Sequence, residues 1–318
     1  MAGNVILLKP APSAPQCTLA LAEVFAQAGA PTGPYTNILA SVDQVGTLID
    51  DFRVRGVTLT GSERAGAAVA ERAGKNLKKV VLELGGSDPV LILNDASIED
   101  TIGSAILGRL LCMGQACAAA KRFIVVGKEP AAAFANGLVA QLKVFSPGEP
   151  TDSQTTLGPI VSQRSLDLLL AQIDRATKHG GRVIAGGKRI PRAGFYLEPT
   201  IITDITAENP LFQEETVGPI FSLYTVESDE DAIKLANATQ FGLGATVYTA
   251  DDSRTQEIAR KLDCGMVFIN SGVWTSAELP FGGVKNSGFG RELGGELGII
   301  EFVNKKLIRT PSKAKAKI

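Results

Sequence analysis

The chain has 318 residues, 45% of them hydrophobic, which is more than one small core needs and points to two lobes. Lysine plus arginine number 32 against 33 acidic residues, so there is no strong field to draw in nucleic acid or an anionic membrane, and a small molecule is the expected partner. The sequence has only one histidine, His179, in the polar stretch "ATKHGGR", where it reads as a loop residue, and this argues against a Ser-His-Asp or Cys-His triad and a multi-histidine metal site together.

The first third alternates apolar strands with helical periods, as a parallel sheet covered by helices requires. "NVILLK" reads as a buried strand, and Leu21, Val24, Phe25 and Ala28 then repeat at helical spacing before Gly29 stops the helix. "NIL" at 37–39 is a short strand, a helix starts after Ser41, and "GVTLTGS" returns through the sheet to Gly61. A helix at "ERAGAAVAERAG" and a strand at "KKVVLELGG" complete a doubly wound α/β pattern. Ser97 and Asp100 have capping-box spacing at the head of a helix whose inward face carries Ile102, Ala105, Ile106 and Leu110, and Gly114 ends it. "RFIVVG" resumes as a strand, which leaves Cys117 at a helix-to-strand junction facing a cleft. A second α/β region follows, with helices at "QRSLDLLLAQIDRATKHG" and "DEDAIKLANAT" and strands at "GATVYT" and "GMVFIN". The glycine-dense "PFGGVKNSGFGREL" precedes an expected strand at "IIEFVNKKLI" and a basic, solvated tail.

The four cysteines, Cys17, Cys112, Cys117 and Cys264, lack CxxC spacing, and no apolar run suits a signal peptide or a membrane span, so a reducing cytoplasm is the expected location. Cys117 has the setting of a nucleophile. Gly114 frees the backbone to turn, Ala116 and Ala118 leave space for a substrate, and Lys121 and Arg122 bring positive charge that favours a thiolate. Cys117 is therefore expected to be the most readily alkylated thiol, with Cys17 and Cys264 slow; packing as small hydrophobes is the alternative reading of Cys112 and Cys117. "LTGSERAG" ends a strand in Gly-Ser before a helix, which can rest a pyrophosphate on bare amides without being the full GxGxxG pattern. Glu83 in "LELGG" is a carboxylate at the carboxyl end of a strand, where open α/β sheets collect ligands.

In this order, "TGSxxxG", "LELGGSDP", "GQACAAAKRF", "EETVGPI" and "PFGGVKNSGFGRE" resemble the aldehyde dehydrogenase superfamily over nearly the whole chain. "RAGAAVAERAG", "LELGGSDP" and "CAAAKRFI" are most similar to its succinate-semialdehyde dehydrogenase branch. The resemblance implies an α/β, aldehyde dehydrogenase-like fold with a partial Rossmann-type cofactor lobe over 1–86, an α/β catalytic lobe over 87–286, and a C-terminal loop, oligomerisation strand and basic tail over 287–318. It implies Cys117 as nucleophile, with Cys112 left to packing, and Glu83 as general base. It also implies NAD or NADP as cofactor, with Lys9 on the adenosine ribose, Gly61, Ser62 and Gly66 as the pyrophosphate turn, and Glu215 on the nicotinamide ribose. The substrate implied is a small aldehyde or acyl compound and the assembly a homo-oligomer; no metal is implied.

Several positions depart from that pattern. Residue 1 aligns just before the cofactor-lobe strand that carries Lys9, so an N-terminally truncated member is expected, without the family's first cofactor-lobe strand and its asparagine oxyanion donor. Val217 stands where the family has a phenylalanine, Cys112 where it has an asparagine, and Pro12 where NAD-preferring members have a glutamate. Weak or absent nucleotide binding is therefore expected. Two other functions stay open: cofactor-independent acyl transfer, hydrolysis or cyclisation through Cys117, and a non-catalytic paralogue that associates with a full-length relative.

Overall fold

The computed structural model describes residues 2–310. The first elements in chain order are β1 (Ile6–Leu8), α1 (Pro15–Gln27), β2 (Tyr35–Asn37), α2 (Val42–Asp50), β3 (Gly56–Thr60), α3 (Glu63–Lys75) and β4 (Lys79–Glu83). There follow β5 (Pro89–Ile92), α4 (Ile98–Leu110), β6 (Arg122–Val126), α5 (Lys128–Leu142), α6 (Gln163–Lys178), β7 (Arg182–Ala185), β8 (Thr200–Thr203) and β9 (Ile220–Val226). The rest comprises α7 (Asp229–Asn237), β10 (Phe241–Gly242), β11 (Gly244–Tyr248), α8 (Asp252–Lys261), β12 (Met266–Ile269), β13 (Val284–Lys285), β14 (Gly288–Phe289) and α9 (Glu296–Ile299). The molecule is α/β, as its sequence pattern implies.

A seven-stranded sheet in the order β12-β11-β5-β6-β9-β8-β7 carries the main core, parallel throughout except for the β7–β8 pair. Both faces are covered, and the alternation of side chains along each strand shows how. Leu91 and Leu93 with Ile124 and Val126 join one apolar cluster, and Val90 and Ile92 with Phe123 and Val125 join the other. The first face is covered by Leu166, Leu169 and Ile173 of α6, Ala232 and Ala236 of α7, and Ile258 of α8. The second is covered by Ile102, Ala105 and Ile106 of α4 and by Phe134 and Leu138 of α5, with Phe123 packed against Phe221 at a ring separation of 5.3 Å. Truncating a fully buried aromatic such as Phe123 to alanine costs about 3–5 kcal/mol.

The first three elements, β1, α1 and β2, are held far more lightly. β1 and β2 form their own two-stranded parallel sheet, separate from the β14-β4-β3 sheet. β1 is not the buried strand its composition suggests, because Val5, Ile6 and Leu7 are all exposed. β2 begins two residues earlier than "NIL", at Tyr35, whose ring stacks on Phe25 at 5.0 Å. α1 buries none of its residues, and besides that stack it is tied to β2 by the Asn37 amide, which donates to the Thr18 carbonyl at 2.6 Å. Neither a lone 13-residue helix nor a two-stranded sheet is more than marginally stable in water. α2 is better founded: Ser41 and Gln44 form a reciprocal capping box.

At the other end, β14 pairs antiparallel with β4, bringing Gly288 opposite Glu83. The strand expected at "IIEFVNKKLI" is not formed. Glu296–Ile299 make a short helix and residues 303–310 are irregular, because no neighbouring strand among the described residues offers the ladder of amides and carbonyls that a strand requires. No described helix is long and apolar enough to cross a membrane.

These differences in packing predict a gradient of protection. In native-state hydrogen exchange, the amides of β1, α1 and β2 should exchange on the order of a hundredfold or more faster than those of β5, β6 and β9. Equal protection in the two regions would show that β1, α1 and β2 are held by something other than these contacts.

Candidate active site

The site is assembled where the segment after β4 meets the segment before β6. β4 is buried from Val81 onward, and Glu83 ends it with only 2% of its surface exposed. The Glu83 carbonyl accepts the Gly61 amide at 3.0 Å, which fastens the candidate pyrophosphate turn to the candidate base. Neither Glu83 carboxyl oxygen has a hydrogen-bond partner, and a Cβ on Gly282 would stand 2.8 Å from Oε1. Burial, reinforced by the nearby Glu292 carboxylate and opposed by Arg291, pushes the Glu83 carboxyl up to about 8. The carboxyl therefore keeps its proton at neutral pH and becomes available as a base as the pH rises toward that value.

Cys117 follows a short 3-10 turn over Leu111–Gly114 that closes α4. Cys112, Met113 and Gly114 are all left-handed, at φ +50°, +60° and +70°. A side chain on Gly114 would run into the Gly218 carbonyl, so glycine is required there. The turn is braced by Gln115, which donates to the Cys112 carbonyl at 3.0 Å and accepts the Val161 amide at 2.8 Å. Cys112, expected to be packed, is exposed because the reversed backbone carries it outward.

The half-buried Cys117 thiol is pushed up, chiefly by burial, with Asp88 and Glu215 adding to the shift while Lys121 and the Ala118 amide oppose it. The positive charge read from the sequence is thus present but outweighed, and only half of it is local. Arg122 turns away, donating to the carbonyls of Ser87, Leu235 and Ala236 at 2.8–2.9 Å. Lys121 stays, with its ammonium 2.6 Å from the Cys117 carbonyl.

Glu215 closes the arrangement. Its Oε1 accepts the Gly86 amide at 3.1 Å and lies 3.3 Å from Lys121 Nζ. Gly85 and Gly86 permit this approach: a Cβ on Gly85 would fall 2.6 Å from Glu215 Oε2, and one on Gly86 would fall 2.7 Å from the Cys117 carbonyl. Cys117 and Glu215 therefore share one junction. Glu83 reaches it through the Gly85–Gly86 turn, since its carboxyl makes no hydrogen bond to either residue.

Among the remaining candidates, Ser62 caps α3 by accepting the Ala65 amide, and Glu63 opens the helix. Gly66 lets α3 lie against β4, because a Cβ there would meet Leu84 at 2.6 Å. Gly61 is exposed, and a Cβ there would sit in ordinary contact with Ala65 and Leu59 at 3.8 Å. An exposed strand end before a 13-residue helix is a place where a dinucleotide pyrophosphate could rest. Lys9 stands after β1 in the other small sheet, half-buried, its ammonium donating to the Pro10 carbonyl at 2.8 Å. Val217 is exposed, and His179 is an exposed residue at the end of α6 whose Nδ1 lies 2.8 Å from the Arg175 carbonyl. Among the described residues, no group of three or more His, Cys, Asp or Glu side chains is placed to hold a metal ion.

Two residues of this machinery are not evident from the sequence. Asp88 is fully buried, accepts the Gly244 amide at 3.1 Å, and is pushed up to about 7, mainly by burial. Arg109 is fully buried on α4 beside Leu110, which packs partly buried against the same core, and it donates to the Thr216 carbonyl at 2.7 Å and to the Gly218 carbonyl. Its spacing from Ala105 and Ile106 was the available signal, four and three residues on along one helix face.

The chain thus combines a largely parallel sheet with a cysteine turn, a strand-end glutamate and a glycine-serine helix start. The chain belongs to the aldehyde dehydrogenase family, whose profile matches residues 1–308. It is 46% identical over 98% of its length to the succinate-semialdehyde dehydrogenase [NADP(+)] of Deinococcus radiodurans. It is 43% identical over 96% to the succinate semialdehyde dehydrogenase [NAD(P)+] Sad of Escherichia coli. The chain spans 65% of the length of each of these relatives. It superposes with a TM-score of 0.95, at 43% identity, on the succinic semialdehyde dehydrogenase of Streptococcus pyogenes in complex with NADP+, covering 97% of this chain and 68% of that one. It also superposes on the NAD+ complex of a Bacillus cereus aldehyde dehydrogenase, with a TM-score of 0.90 at 33% identity, covering 94% and 60%.

The exposures reorder the expected thiol reactivity, since Cys17 and Cys112 are exposed while Cys117 and Cys264 are partly covered. Burial pushes the Cys264 thiol up to about 12. A brief, limiting dose of iodoacetamide near neutral pH should label Cys17 and Cys112 first and Cys264 last, as read by peptide mass mapping.

The raised Glu83 pKa has a consequence for stability. An unfolded glutamate ionises near 4.5, whereas folded Glu83 holds its proton to about 8. Its contribution to stability is thus complete below the lower value and lost as pH rises through the upper one. The melting temperature of Glu83→Gln relative to the parent should rise between about pH 5 and about pH 9. A constant difference across that range would place the carboxyl in a wetter setting.

Proposed function

We propose that the chain acts on an aldehyde, with succinic semialdehyde the first candidate, oxidising it to the acid with NADP or NAD through Cys117. The observation that carries this reading is the meeting of Cys117, Lys121, Gly86 and Glu215 at one strand-end junction, joined through β4 to the Gly61–Ser62 turn. The names of the similar proteins supply the substrate and the cofactors. The Cys117 sulfur adds to the aldehyde carbon, giving a tetrahedral thiohemiacetal, and the small Ala116 and Ala118 leave room for it. A nicotinamide nucleotide, when bound, supplies the hydride acceptor that takes this adduct to a thioester. Glu83 in its ionised form, reached as the pH approaches about 8, takes a proton from water, the resulting hydroxide adds to the thioester carbonyl, and the acid leaves as the thiolate is restored. In this scheme Lys9, Gly61, Ser62 and Gly66 hold the adenosine and pyrophosphate portions, and Glu215 the nicotinamide ribose. The same reading divides the chain at 86/87 and 286/287 and takes it as a cytoplasmic homo-oligomer.

One observation favours a second activity at the same cysteine. Glu83 ends a buried strand and Cys117 stands in a turn leading into another, whereas Lys9 follows a strand of a two-stranded sheet beside a helix that buries nothing. Hydrolysis of an ester or thioester needs only the former. The test is to supply succinic semialdehyde with NADP or NAD and follow reduced nicotinamide and acid release, with a nitrophenyl ester in parallel. Both nucleotide-dependent oxidation and ester turnover should fall about a thousandfold in Cys117→Ser. Ester turnover without oxidation would favour the second activity, and undiminished oxidation in Cys117→Ser would reject the nucleophile.

A further inference from the structure

We propose that Lys121 is a positioning residue whose buried ammonium ties the Cys117 turn to Glu215, so that the charge balance between Lys121 and Glu215 sets the reactivity of the Cys117 thiol. The proposal rests on Cys117 being the reactive cysteine of the site.

A fully buried lysine is costly to keep charged, and its burial here lowers its affinity for a proton. Such a group is retained only where its three donors are well used. Lys121 Nζ donates to the carbonyls of Cys117 at 2.6 Å, Ala119 at 3.2 Å and Ala116 at 3.3 Å, and it lies 3.3 Å from Glu215 Oε1. The three carbonyls flank and include the cysteine, so one cation fixes the path of the turn on both sides of the thiol. The ion pair then fastens that turn to the loop carrying Glu215. Gly86 completes a ring, since its amide donates to Glu215 and its α-carbon lies against the Cys117 carbonyl. Arg109 anchors the far side of the loop at Thr216 and Gly218.

The charges facing Cys117 are Lys121, which favours the thiolate, and Asp88 and Glu215, which oppose it. Those facing Lys121 are Glu215, Asp88, Arg109 and Cys117 itself. Loss of the lysine leaves two carboxyl groups opposing the thiolate, and loss of the Glu215 charge leaves the lysine less neutralised. The two substitutions therefore act in opposite directions on the same thiol. A lysine that merely filled space would give no such opposition.

The experiment measures the pH dependence of Cys117 alkylation by iodoacetamide in the full chain, resolved from the other cysteines by peptide mass mapping. Lys121→Met should move the midpoint up by about one pH unit, and Glu215→Gln should move it down by a smaller amount. A folded Lys121→Met protein with the parental midpoint overturns the proposal. If Lys121→Met does not fold, an unchanged or raised midpoint in Glu215→Gln overturns it instead. Alkylation requires no turnover, so these outcomes are independent of the nucleophile test, which Cys117→Ser decides by activity.

Discussion

The Asp88 carbonyl accepts two amides, those of Lys121 and Arg122, at 3.0 and 3.2 Å, and the geometry of the site depends on this junction. It fixes where the segment leaving β4 meets the segment entering β6, and the Arg122 guanidinium reinforces it by donating to the Ser87 carbonyl at 2.9 Å. From there β5 and β6 run in register, Pro89 opposite Arg122. Gly86 and Cys117 are brought together as a consequence, since each lies only a few residues upstream of the junction. Moving either segment by one residue would invert which side chains face the cleft.

The junction is unusual in what it buries. Asp88, Arg109, Lys121 and Arg122 are all essentially without solvent contact. Main-chain carbonyls offset much of the cost for the cations: those of Ala116, Cys117 and Ala119 for Lys121, of Ser87, Leu235 and Ala236 for Arg122, and of Thr216 and Gly218 for Arg109, whose Nε and Nη1 stay without a partner. Loops that would otherwise leave carbonyls unpaired in the interior acquire donors, and the cations acquire acceptors without needing a full set of carboxylates. Removing one of these side chains uncovers several acceptors at once, and so disturbs loop geometry more than a surface ion pair would.

What could be read from the sequence follows from how local each feature is. The cap at Ser62, the glycine start of α3 and the cysteine turn after Gly114 are set within a few residues, and their positions were legible. So was the α/β architecture, because β4 and β6 are apolar runs bounded by turn residues. The inward turn of Arg109 was not, because its partners lie 107 and 109 positions away and arginine is ordinarily a surface residue. The same holds for the burial of Glu83, whose neighbours Gly282 and Glu292 come from the far end of the chain. The strand read at "IIEFVNKKLI" failed for a related reason. Strand composition records a capacity to pair, and pairing also requires a neighbour that composition does not specify.

The two halves of the proposed chemistry rest on unequal foundations. Cys117 and Glu215 are braced by the seven-stranded sheet, and Glu83 is held between Thr60 and Gly288 in β3 and β14. The Gly61 turn shares that rigidity through its bond to the Glu83 carbonyl and through the contact between Gly66 and Leu84. Lys9 does not, because β1 is exposed and α1 buries nothing. A nucleotide that engages both the Gly61 turn and Lys9 must therefore order the weaker element at the expense of its own binding energy, while one held at the turn alone meets a surface already in place. If the proposed contacts are right, affinity for the pyrophosphate and affinity for the adenosine are separable in this chain, and the second is bounded by how firmly β1, α1 and β2 are held.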